Sequence, residues 1–241
     1  MIYPTRGIVL NHIKYGESGI VVNVYTEQFG RQSYMLNRGR SKRSKGLTVL
    51  LQPLALLEME VYHREKSEIQ RIKDYRVALP LTSIPFNQTK RAMAFFLTEL
   101  MNKVLREEEE NCPLFEFIYH SIEVFDSGLS GDHNFHLFFI FHLSRFLGFG
   151  PEEKKMDERF FDLLNGRFAN VEPAHGTYLD EKACQLWEKL FQLKVEALDA
   201  LKLSADQRQQ LLKALLTYYA LHLDGMGELK SLEVLRQLFH E

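Results

Sequence analysis

The chain has 241 residues, of which 45% are apolar, 26% charged and 12% aromatic, a composition able to bury a core in one large domain or two smaller ones. Its most apolar stretches, 47–61 and 135–149, are broken by Gln52, Pro53 and Glu58 and by His136, His142 and Arg145, so neither offers the roughly 20 clean residues of a membrane span. Two distant cysteines, Cys112 and Cys184, exclude a disulfide framework and a thiolate metal cluster, and Met1–Arg6 shows no basic-then-apolar leader, so a cytoplasmic protein with no membrane partner is expected.

The net charge of −2 conceals a segregation. Residues 1–76 hold 13 Lys and Arg against 7 Asp and Glu, a balance of +6, whereas the remainder holds 17 against 25, a balance of −8. The positive charge is concentrated in Arg38-Gly39-Arg40-Ser41-Lys42-Arg43-Ser44-Lys45, with five cations in eight residues and no acidic or apolar side chain. Such a segment cannot pack a core. Flanked by Gly and Ser, it reads as a loop whose cations can each meet a phosphate, although a merely solvated loop would read the same.

From the N-terminus, the spacing predicts short strands: Arg6 to His12, then Ile20 to Tyr25 after the turn formers Gly16-Glu17-Ser18-Gly19, then Gln32 to Asn37. Beyond the basic segment, Ala55, Leu57, Met59 and Val61 alternate with Leu56, Glu58, Glu60 and Tyr62, and Glu68 to Val77 makes a fifth run with Arg71 and Lys73 on one face. Five strands in about 75 residues suggest a small closed barrel of the oligonucleotide-binding kind, because closure removes the exposed sheet edges. Tyr25, Tyr34 and Tyr62 lie on these strands, where they either stack under a nucleobase or pack the barrel.

From Pro85 the period changes to about 3.6. Ala92, Met93, Phe96, Leu97, Leu100, Met101 and Val104 form one helical stripe, and Pro113 opens a second helix running to Gly128. Residues 133–147 are apolar on all sides and predict a core helix ending at Gly148-Phe149-Gly150-Pro151. Asn165-Gly166 predicts a two-residue hairpin. Helices follow over Asp180–Leu193, from the Ser204/Gln207 capping box to His222, and over Ser231–Phe239. The fold class is therefore α+β, with a five-stranded barrel over 1–77 and a helical domain over 78–241 that carries a hairpin insertion at 151–175.

The sequence carries no GxxxxGK[ST], GxGxxG, HExxH or GxSxG, which disfavours an enzyme and leaves no cofactor to expect. His133 and His136 are spaced to share a metal, but no thiol lies near them, and His133, His136 and His142 suit core histidines better. Glu107 to Glu110 point in different directions and suit a solvated helix end.

The order and spacing of Tyr15-Gly16-Glu17-Ser18, Tyr25-Thr26-Glu27 with Gly30-Arg31, Gly39-Arg40-Ser41-Lys42-Arg43-Ser44 and Leu51-Gln52-Pro53-Leu54 resemble the RecO recombination mediators of bacteria. The likeness continues through Ala78-Leu79-Pro80-Leu81, Phe96 to Leu100, Leu114-Phe115 and Leu147-Gly148-Phe149-Gly150, thinning after about residue 150. It implies a non-catalytic protein of the cytoplasm and nucleoid that binds single- and double-stranded DNA and anneals complementary strands. With RecR it would help RecA replace single-strand-binding protein (SSB), whose C-terminal tail it would also bind. Many members hold a zinc site after the Leu-Gly-aromatic motif, whereas residues 151–171 contain no cysteine, so no metal is expected. The DNA-binding residues expected are Arg31, Arg38, Arg40, Lys42, Arg43, Lys45, Arg71 and Lys73. Arg145, a cation within the most apolar helix, is the candidate for the acidic SSB tail. The rival readings are an adapter whose helical domain is the active part, and an RNA-binding barrel protein.

Overall fold

A computed structural model of the chain describes residues 1–16, 19–37, 52–128, 130–155 and 157–240. The chain forms two compact units, Met1–Asp126 and Ser127–Glu241.

In the first unit, β1 (Ile2–Tyr15), β2 (Gly19–Thr26), β3 (Gly30–Asn37), β4 (Leu56–Tyr62) and β5 (Gln70–Leu79) close into a barrel in the order β1-β2-β3-β5-β4. Only β3 and β5 pair in parallel. The cross-strand row Ile13–Val21–Met35–Arg71–Tyr62 returns to β1 at Ile2, eleven residues from where it left, and this stagger is what tilts and closes five strands. Val9, Ile20, Val22, Val24, Tyr34, Leu36, Leu57, Met59 and Val61 fill the interior, as strand alternation requires. Strand β1 starts four residues earlier than its pattern suggests, because Pro4 breaks the pattern without breaking the strand. Over Ile2–Arg6 β1 pairs only with β4, and one open side tolerates a residue that lacks a donor.

Two helices complete this unit, α1 (Gln88–Val104) and α2 (Cys112–Ser127). Asn87 caps α1 by accepting from the Lys90 amide at 3.0 Å, and the predicted apolar stripe is buried where α1 packs on β1. Tyr25 faces outward from the barrel and is buried beneath Phe115 of α2, with ring centroids 6.3 Å apart. The Asp126 carboxylate accepts from the backbone amides of Thr82, Ser83 and Ile84, at 2.7, 2.9 and 2.8 Å, and from the Thr82 hydroxyl. It thereby ties the end of α2 to the segment that leads from β5 into α1. The helices therefore pack with the barrel in the first compact unit, which ends at Asp126.

In the second unit a 3₁₀ turn (Asp132–Asn134) leads into α3 (Phe135–Phe146), which is buried on every side from Phe135 to Phe141, as its composition predicts, and exposes Arg145 and Phe146 in its last turn. His136 is wholly buried, and desolvation pushes its pKa down to about 3, so it is neutral near pH 7. The Leu147-Gly148-Phe149-Gly150 motif ends the helix at a left-handed Gly148 and sets Phe149 against Tyr218, Tyr219 and His222 of α5 (Ala205–His222). The Ser204/Gln207 capping box is present. Asn165-Gly166 does lie in a hairpin, but residues 163–166 form a four-residue loop between β6 (Phe160–Asp162) and β7 (Arg167–Ala169). Asp162 rather than the dipeptide organises that loop, accepting from the Leu164 and Asn165 amides and the Asn165 side chain. Strand β8 (Tyr178–Leu179) adds to β6, making a three-stranded sheet. Helix α4 spans only Glu181–Glu188 of the helix predicted to Leu193, and α6 spans Ser231–His240.

Burial raises the Asp126 pKa, but the amides and the hydroxyl that it accepts from outweigh burial and hold the pKa below its usual value. Its stabilisation is therefore fully present above the ordinary carboxylate range of roughly 4 and is lost as the pH falls through the depressed native value. Asp126→Asn turns an NH₂ group toward backbone donors and is expected to cost about 1.5–3 kcal/mol at neutral pH. Denaturant melts at pH 7 and pH 3 should show the wild-type advantage shrinking in acid; an equal gap at both values would refute this account.

Candidate nucleic-acid interface

The nine residues expected to bind DNA or protein fall into five situations. Arg38, Arg40, Lys42, Arg43 and Lys45 lie outside the described residues. What is described is the root of their segment: β3 ends at Asn37, which pairs with Gly19, and Gly19 pairs with Tyr15 near the β1–β2 turn. Arg71 is brought to the same root. It pairs with Met35, three residues before Arg38, and its side chain is exposed.

Arg31 is used differently. Its guanidinium donates to the Asn102 carbonyl at 2.8 Å, to the Asn102 side chain at 3.1 Å and to the Leu105 carbonyl at 3.4 Å, while its backbone amide donates to the Glu107 carbonyl. These are carbonyls that the end of an α-helix leaves without intrahelical donors. Burial lowers the Arg31 pKa, yet a guanidinium stays charged and answers the negative end of the α1 dipole. Gly30 permits the approach: its φ is +56°, and a Cβ there would stand 2.4 Å from the Glu107 carbonyl oxygen. Arg6, which no sequence pattern singled out, plays the same part at α2. It pairs with Glu27 and Glu116 and lies 5.0 and 5.1 Å over the rings of Phe115 and Tyr119.

Lys73 stands at a bulge in β5 and is paired with Glu60 at 2.6 Å, and the Arg76 Nε donates to Glu58 at 2.7 Å. The outer face of β4 and β5 is thus a ladder of neutralised charge that ends at Tyr62 and Arg71, where the strand-4 partner is aromatic instead of acidic. Of the three tyrosines, Tyr25 and Tyr34 are buried, and Tyr62 is 41% exposed. The residues that sequence reasoning did not name are Arg64 and its loop. The signal was present in the series Glu58, Glu60, Tyr62, where the outward positions change from acid to ring.

In the second unit, Arg145 is exposed on α3 and sits 5.8 Å over Phe141 and 5.5 Å over Phe191. It makes no ion pair among the described residues. A groove of about 1,260 Å³ between β8, α4 and α5 carries Lys182, Lys189 and Lys213 together with Glu172 and Asp180; Arg145 does not line it. In the segment after the Leu147-Gly148-Phe149-Gly150 motif, Asp162 pairs with His175 at 3.2 Å and Glu172 accepts from Tyr178. These groups are engaged with one another, and among the described residues no three His, Cys, Asp or Glu come together, so the donor set does not fit zinc.

Residues 1–80 match the family described as "Recombination protein O N terminal", and residues 87–233 match "Recombination protein O C terminal". The chain belongs to the RecO family. It is 38% identical to the DNA repair protein RecO of Phocaeicola vulgatus over 240 residues, covering 99% of this chain and all of that one. The corresponding protein of Bacteroides fragilis is 38% identical and that of Flavobacterium psychrophilum 34% identical, each over 99% of this chain and the whole relative. The RecO domain boundary, between residues 80 and 87, falls inside the first compact unit, so the family's C-terminal part contributes α1 and α2 to the unit that contains the barrel.

Arg31→Ala removes donors from the end of α1 and is expected to destabilise the protein by about 2 kcal/mol or more. The salt dependence of oligonucleotide binding should stay at the wild-type slope, because the guanidinium is already engaged. An unchanged melting temperature with a lowered slope would instead assign Arg31 to the interface.

Proposed function

We propose that this RecO-family protein is a non-catalytic mediator of DNA repair in the cytoplasm. On this reading its barrel binds single- and double-stranded DNA, anneals complementary strands and, with RecR, assists RecA loading on SSB-coated DNA. The observation that carries it is the five-cation segment 38–45, rooted on a barrel beside the exposed Arg71 while the neighbouring cations Lys73 and Arg76 are neutralised. Annealing needs a surface that screens two phosphate backbones and reads no bases, and closely spaced cations in a Gly- and Ser-rich segment supply that. The interface comprises Arg38, Arg40, Lys42, Arg43, Lys45 and Arg71, with Lys73 and Arg31 serving the fold.

Replacing Arg38, Arg40, Lys42, Arg43 and Lys45 together by Ala should weaken binding to all DNA, leave the melting temperature nearly unchanged and lower the single-strand salt slope by about 3 to 4. Unchanged affinity at low salt would remove the central claim, and a strong preference for RNA would favour the RNA-binding reading.

The second unit is proposed to receive the SSB tail. Tails of that kind are acidic with an apolar end, and the exposed Arg145 sets a cation over the buried Phe141 and the half-buried Phe191. A fluorescent tail peptide should bind the wild type several-fold more tightly than a folded Arg145→Ala variant. Equal affinities would end the role of Arg145, and binding by neither would end the tail-receptor proposal.

A further inference from the structure

The end of the β4–β5 ladder carries an inference that deepens the DNA-binding reading and rests on it. Tyr62, Arg64, Ser67, Ile69, Gln70 and Arg71 line a cleft of about 410 Å³, within the roughly 300–1,000 Å³ of small-ligand sites. Its walls are held from within. Gln70, 4% exposed, accepts from the Arg64 amide at 3.0 Å and donates to the carbonyls of Arg64 and Ser67 at 2.8 Å each, so one buried side chain fixes the hairpin loop at both ends. Ser67 adds a bond to the Ile69 carbonyl at 2.8 Å. His63 stacks on Phe29, with centroids 4.1 Å apart and planes at 11°, and alternation then turns its neighbour Tyr62 outward.

Charge distinguishes this cleft from the rest of the sheet. Going along β5, Arg76 meets Glu58 and Lys73 meets Glu60, but Arg71 meets Tyr62. Arg64 and Arg71 are both exposed, and neither has an ion pair among the described residues. Two uncompensated guanidinium groups beside an outward-facing phenol ring are the components of a nucleotide subsite: a flat surface for a base and donors for the phosphate that follows it.

We propose that this cleft seats one unpaired nucleotide of single-stranded DNA, its base stacked on Tyr62 and its phosphate between Arg64 and Arg71. Met35, the β3 partner of Arg71, stands three residues before Arg38, so the strand leaving the cleft starts at the root of the basic segment. The cleft takes unpaired bases only, since a base still in a duplex has no free face. It therefore confers a preference for single strands that the basic segment alone does not.

The test uses the full chain with an oligodeoxythymidylate containing one 5-iododeoxyuridine, and a duplex of the same length. Irradiation should cross-link the single strand at Tyr62. Tyr62→Leu should lose that cross-link and weaken single-strand binding by roughly five- to hundred-fold at an unchanged melting temperature, with duplex binding little affected. Tyr62→Phe should retain both. The double variant Arg64→Gln, Arg71→Gln should lower the single-strand salt slope by about 1.4. Wild-type single-strand binding by Tyr62→Leu, or a cross-link only at other residues, overturns the subsite and leaves the DNA-binding reading standing. Failure of the wild type to bind either DNA overturns both, and tighter binding of an oligouridylate of equal length overturns the assignment to DNA.

Discussion

The close approach of the β2–β3 turn to the end of α1 is the constraint on which the first unit depends. Gly30 allows the turn to reach the backbone of Glu107 and Glu109, and Arg31 then fills the carbonyls that α1 leaves open. Neither residue works alone: without the glycine the chains clash, and without the arginine the helix end is left with unsatisfied acceptors. Arg6, clasped by Glu27 and Glu116 and stacked over Phe115 and Tyr119, fastens α2 to the barrel in the same manner. Barrel and two helices consequently form one body, although the family's domain boundary runs between them.

This joint also sorts the cations. Residues 1–76 carry thirteen, and Arg6, Arg31, Lys73 and Arg76 are committed to partners inside the unit. A count of positive charge along the sequence treats all thirteen alike, whereas carboxylates offset Arg6, Lys73 and Arg76 and the donors of Arg31 are turned to carbonyls. What remains of the described cations is concentrated near Arg64 and Arg71 at one end of the β4–β5 pair. The proposed DNA surface is therefore narrower than the net charge of the first 76 residues suggests, and closer to the root of segment 38–45.

How much of this was legible in the sequence follows from the range of the interactions. The barrel strands, the apolar stripe of α1, the largely buried α3 and the capping box at Ser204 are set by local patterns and are readable in the sequence. Arg31 and Asn102 are 71 residues apart in sequence, and Arg6 and Glu116 are 110 apart, so no local pattern announces either contact. Local pattern alone therefore leaves Arg31 among the candidate DNA-binding cations. The hairpin at Asn165-Gly166 was placed correctly and given the wrong loop, because the hydrogen bonds of Asp162 outweigh the preference of the dipeptide for a two-residue turn. Tyr62 was one of three equivalent tyrosines by pattern. Strand phase tells them apart: Tyr34 points into the barrel, Tyr25 points out beneath α2, and Tyr62 points out and is exposed.

The small sheet of the second unit is held without thiolates. Asp162 takes bonds from two amides and the Asn165 side chain and pairs with His175, which ties the β6–β7 loop to the approach to β8. Behind it, Phe161 packs on Phe168, Trp187 and Tyr218, so the sheet is anchored to α4 and α5 through its buried face. Tyr218 in turn donates to the Phe149 carbonyl at 2.6 Å, linking the same cluster to the end of α3. A metal contributes its binding energy only when its ligands converge on one point, whereas burial of aromatic area acts over a whole face and needs no convergence. With Phe161 at the centre of such a face, the sheet is fastened to the helices through a segment, 151–171, that contains no cysteine.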